Sequence, residues 1–68
     1  GIRSDPRPRP TGDGRRVLRA MGWDPTGLDA LAERTGLGLG ALAVAVDRLE
    51  VAGWIERVDG RLQRKPAP

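Results

Sequence analysis

Between Leu28 and Gly60 the chain reads LDALAERTGLGLGALAVAVDRLEVAGWIERVDG, and this stretch leaves few folds open. Apolar residues recur at helical spacing in two runs, a glycine-marked corner parts them, and an alternating segment ending in Asp-Gly follows directly. Leu28, Leu31 and Ala32 fall at i, i+3 and i+4, which sets one stripe of a helix over Leu28–Thr35 for burial. Thr26 or Gly27 caps its start, and Asp29 in the first turn complements the positive end of the helix dipole. In Thr35-Gly36-Leu37-Gly38, glycine permits positive φ and Leu37 is placed to plug the corner. A further helix is expected from Leu39 to about Ala52, with Leu39, Leu42, Val46 and Leu49 as its core seam and Gly53 as its stop. Trp54 to Val58 then alternates, Asp59-Gly60 has the residue types of a type I′ turn, and Arg61 to Arg64 returns. Either Trp54, or Ile55 with Val58 and Leu62, faces the core; a one-residue shift of register separates the two.

Upstream, a first helix is expected from Asp13 or Gly14 to Met21, with Asp13 as its N-cap and Gly22 as the glycine past its end. Val17, Leu18 and Met21 share its inner side, while Arg15, Arg16 and Arg19 occupy the rest. Trp23 reads most simply as a core lid, and residues 24–27 have room for a very short strand beside the hairpin. In residues 1–12, Pro6, Pro8 and Pro10 fix φ at alternate positions and remove three donors, which predicts a flexible Pro/Arg-rich linker. An arginine arm touching phosphate is the sharper reading of that segment. The domain proper then spans residues 13–65, and residues 66–68 fray. The fold class is mainly α: a winged helix-turn-helix of three helices and a two-stranded β wing.

The totals remove whole classes of function. The chain has 68 residues, enough for one small domain that buries about 60% of its unfolded surface. It contains neither Cys nor His, so a disulfide frame, a Cys/His metal site and a His-based catalytic set are excluded. The nine acidic residues show no paired catalytic spacing, and no enzyme activity or cofactor is expected. The glycines of Gly36-Leu37-Gly38-Leu39-Gly40 lie between helices, not after a strand, so a phosphate-cradling loop is not indicated. No apolar run approaches the roughly 20 residues needed to cross a bilayer. The chain begins without Met, which fits a fragment of a longer protein and a trimmed chain equally.

Net charge is +3, and its placement says more than its size. The N-terminal tail and the segment from Trp54 onward are basic, whereas the helical middle is slightly acidic. At about 100° per residue, the third helix turns Gly40, Ala41, Val44, Asp47, Arg48 and Val51 away from its seam. Reading base edges needs donors and acceptors, and Arg48 alone supplies them there. Ala41, Val44 and Val51 are therefore the candidate protein-docking residues. Arg48, Arg57, Arg61, Arg64 and Lys65 are the candidate nucleic-acid contacts, suited to weak, salt-sensitive, sequence-blind phosphate binding. Trp23 and Trp54 are weighed as stacking platforms for bases and as core, and core is preferred.

The run Asp24-Pro25-Thr26-Gly27-Leu28-Asp29-Ala30-Leu31-Ala32-Glu33-Arg34-Thr35-Gly36-Leu37, followed by Leu49-Glu50-Val51-Ala52-Gly53-Trp54-Ile55-Glu56-Arg57, resembles the C-terminal winged-helix domain of the DNA-processing protein A (DprA/Smf) family. Its members typically show DP-x-x-LDELA-x-x-TGL, then L-x-LEL-x-G-x-V-x-R and a glycine-tipped wing. The resemblance covers about residues 14–65. Leu62 departs from it, standing where the wing often carries an aromatic, and Trp54 is bulkier than usual. The resemblance implies a bacterial cytoplasmic protein of natural transformation, which protects incoming single-stranded DNA and helps load the recombinase RecA. It places that work in an upstream Rossmann-like domain, so none of that domain's DNA-binding residues carries over to this chain. What remains is an accessory module that contacts DNA or protein, with RecA or the upstream domain as protein partners and no membrane. The competing readings are a sequence-specific duplex-binding domain of a transcription regulator and a purely structural dimerisation module.

Overall fold

A computed structural model describes residues 5–66, as three helices followed by a hairpin. Helix α1 covers Gly12–Ala20, α2 covers Leu28–Thr35 and α3 covers Leu39–Val51; strands β1 (Ile55–Val58) and β2 (Arg61–Arg64) complete the order. Helix α1 packs on both α2 and α3, and β1 closes against α3. This is the winged helix-turn-helix predicted above.

Ten residues make the core: Val17, Leu18 and Met21 at α1, Leu31 from α2, Leu42, Ala45, Val46 and Leu49 from α3, and Ile55 and Leu62 from the hairpin. Every element contributes at least one, which is what lets so short a chain bury a common centre. Leu37 packs against this cluster from the corner between α2 and α3, as its position in the turn predicts. Thr35 is buried there with both hydroxyl functions used: Oγ1 donates to the Leu31 carbonyl at 2.7 Å and accepts from the Leu37 N–H at 3.2 Å. Gly36 takes the left-handed conformation (φ 73°), and its N–H closes α2 on the Ala32 carbonyl. Helix α3 ends in paired 6→1 and 5→2 bonds, Trp54 N–H to Leu49 O and Gly53 N–H to Glu50 O, around Gly53 at φ 85°.

In the hairpin, Ile55 pairs with Arg64 and Arg57 with Leu62. Asp59 and Gly60 both have positive φ, at 50° and 76°, as a type I′ turn requires. Thr26 bridges to Leu62 through two backbone bonds of 2.8 and 2.9 Å, so the expected short third strand is a single residue wide.

Several expectations are corrected. Helix α1 starts at Gly12 with Thr11 before it, so Asp13 lies inside the first turn instead of capping it. Gly22 does not end that helix: Met21 does, in extended conformation, because the chain runs straight on toward the Thr26 bridge and needs no left-handed reversal. Leu39 is 67% exposed, since the first turn of α3 projects beyond the core and Leu37 already fills the corner; Ala45 is buried on the seam instead. Leu28, in the first turn of α2, is likewise exposed. Trp23 is 61% exposed and is no core lid. Ile55 and Leu62 face inward, whereas Val58, three residues from Ile55, is on the other face of β1; Trp54 packs at the core's margin.

Candidate interaction surfaces

The segment read as a linker from residue 1 to residue 12 lies outside the described residues for its first four positions, Arg3 included. From Asp5 to Pro10 it is laid against the domain. The Arg7 side chain is 11% exposed, with its guanidinium 3.8 Å from the centre of the Trp54 ring. Its Nη1 donates to the Lys65 carbonyl at 3.0 Å and to Gly53 O at 3.3 Å, and Nε donates to Asp5 Oδ1 at 2.9 Å. Trp54 Nε1 in turn donates to the Pro8 carbonyl. The Arg7 guanidinium holds the Asp5 carboxyl down to about 2, chiefly through the hydrogen bonds between them. Pro66, expected to fray, also accepts from Arg7 at 3.4 Å; residues 67 and 68 lie outside the described range.

This segment runs beside the outward face of α3. Ala41, Val44 and Arg48 border a groove of about 500 Å³ whose other wall is Pro8, Pro10 and Trp54. Val51 and Arg48 border a second, shallower groove with Pro8, Asp47 and Ala52. The three predicted docking residues are thus all at the surface, with Val44 52% and Val51 90% exposed. Pro8, Arg48 and Ala52 border both grooves.

The hairpin cations, by contrast, do not converge. Arg57 turns back to α3, with Nε 2.9 Å from Glu50 Oε1 and Nη2 3.7 Å from Asp47 Oδ1. Arg64 sets its guanidinium 4.7 Å from the centre of the Trp23 ring. Lys65 is tied through its backbone, donating to Trp54 O at 2.8 Å and accepting from Arg7. Among the described residues, only Arg61 and Lys65 of this set have side chains with neither an ion pair nor an aromatic partner.

A second basic surface escapes the sequence reading. Arg15, Arg16 and Arg19 of α1 and Arg34 of α2 line one cleft with Gly12 and Ala20. Arg34 Nη1 donates to the Ala20 carbonyl at 3.3 Å, which fixes it at the end of α1. The spacing of the first three was visible along the chain, but Arg34 joins them only through the packing of α1 on α2. Averaging charge over the whole helical middle, where six acids sit, concealed the group.

A family model described as the DprA winged helix domain matches residues 3–61. No curated protein and no solved structure gives a significant match.

Proposed function

The chain belongs to the DprA winged helix domain family, and from that premise we propose that it serves as an accessory docking module of a DprA-like DNA-processing protein. The setting is the handling of incoming single-stranded DNA and the loading of RecA in natural transformation, in the bacterial cytoplasm. The module binds and positions; it has no chemistry of its own, in keeping with a chain that lacks imidazole and thiol.

The observation that carries this reading is the outer face of α3, where Val44 and Val51 are held out to water beside Ala41. Neither valine serves the domain's own core, and burial of each against a partner contributes about 1.5 kcal/mol or more. That sum supports a weak, adaptable protein contact, made with RecA or with the upstream domain of the same protein. The transcription-regulator alternative finds less support: Arg48 is the one base-reading side chain on that face, and the proline-rich segment runs alongside it. An amide-shift NMR titration with RecA and with the upstream domain tests the reading. Shifts at Ala41, Val44, Arg48 and Val51 that vanish in V51D are expected, and shifts confined to residues 57–65 overturn it.

A second reading rests on Arg61 and Lys65, whose side chains have no protein partner among the described residues. Two such phosphate contacts give sequence-blind binding with a log–log salt slope of about −1.5 on single strands.

A further inference from the structure

We propose that Arg15, Arg16, Arg19 and Arg34 form a phosphate seat for single-stranded nucleic acid, with the exposed indole of Trp23 as the neighbouring stacking surface. This site is independent of α3 docking. It deepens the nucleic-acid reading above by moving the principal contacts from the wing to the α1–α2 face.

The charge distribution is the first argument. Arg15 and Arg19 are four residues apart on α1, and Arg16 and Arg19 three, so like charges meet on one helix surface and repel. A fourth guanidinium is then added from α2 by a bond to the Ala20 carbonyl. No acid lines the cleft they share, and none of the four makes an ion pair among the described residues. A solvated face explains exposed arginines one at a time, but the other clefts bordered by arginine each hold an acid as well: Asp13 with Arg9 and Arg48, Asp47 with Arg48, and Asp24 and Asp29 with Arg61. Four uncompensated forks on one cleft suit an anion that accepts bidentate bonds, and phosphate has that geometry.

Trp23 narrows the class of anion. It follows Ala20 by three residues, so its backbone lies within about 11 Å of the cleft's edge. Its ring stays largely in water while the Arg64 guanidinium covers part of it, leaving indole surface open to a flat ligand. An unstacked base fits that surface, and bases inside a duplex are not available to it. Arg34 also borders a cleft with Arg61, Asp24 and Asp29, where the charges balance, so the cationic end of the path is at α1. The seat shares only Gly12 with the larger α3 groove.

Fluorescence anisotropy of labelled oligothymidylate on the full chain tests this, with a hairpin duplex and inorganic polyphosphate as competitors. Four phosphate contacts predict a log–log salt slope of about −3, falling to about −1.5 in R15Q/R19Q. W23A is expected to weaken oligonucleotide binding about tenfold while sparing competition by polyphosphate. All four arginines and Trp23 are at the surface, and thermal melts of the variants confirm folding. If R61Q/K65Q loses more affinity than R15Q/R19Q, the wing reading stands and this one falls. Equal affinity for duplex, or an unaltered W23A, overturns the single-strand assignment. Absence of binding even at about 20 mM salt overturns this proposal and the wing reading together, leaving α3 docking to its own test.

Discussion

Arg7 touches the Asp5 carboxylate, the Trp54 indole and the carbonyls of Gly53 and Lys65, contacts separated by up to 58 positions along the chain. Its attachment has a pH signature. Asp5 titrates near 3.8 when free and near 2 when paired, so the ionised form is favoured in the folded state. The stabilisation is present above pH 4 and is lost as pH falls through about 2. Because Trp54 Nε1 donates to Pro8, the indole N–H resonance reports on this segment. It should move between pH 4 and 2 in the parent chain and stay flat over that range in D5N. A pH-dependent shift retained in D5N would assign the titration to another group.

Among the elements, α3 gives the sharpest contrast. Leu42 is fully buried and Leu39 largely exposed, although both are leucines three residues apart on one apparent seam. L42A should cost about 2–5 kcal/mol in urea unfolding, whereas L39A should stay within about 0.5 kcal/mol. Similar costs for both would mean that α3 is rotated from the orientation described. The left-handed glycine at the end of α2 makes a comparable pair with the helical one in α3. G36A should destabilise by about 1 kcal/mol because a Cβ is strained at positive φ with no steric clash involved. G40A, in open space on a helix, should be neutral or stabilising by about 0.5 kcal/mol.

These contrasts show what sequence reveals and what it conceals. The helix spans to within a residue or two, the stops at Gly36 and Gly53 and the Asp-Gly turn were legible because each depends on residues close in the chain. Leu39 misled because periodicity marks a face without showing where a neighbouring helix ends. Trp54 and Ile55, adjacent and both apolar, left the register open along the chain; in the fold Ile55 and Leu62 are the buried pair. The partners of Arg57, the docking of Arg7 and the union of Arg34 with α1 are tertiary facts without a local signal.

For the whole molecule, the distribution of surfaces matters more than net charge. An apolar helix face borders the proline-rich segment, and a cluster of arginines occupies the α1–α2 cleft. A domain this small has modest stability, so peripheral contacts count. Deleting residues 1–10 should preserve the helical circular dichroism, because none of the ten core residues lies in that segment. It should also lower the thermal midpoint and shift Trp54 emission to the red. If midpoint and emission both stay unchanged, the segment is not part of the folded unit in solution.

Strand β2 is bonded along both margins, to β1 on one side and to Thr26 on the other. The hairpin is therefore no free flap: force applied at its tip passes through Leu62 into the loop that carries Trp23. A ligand pulling on Arg61 would disturb the indole's surroundings without touching it, and the two ends of the hairpin would respond as one lever.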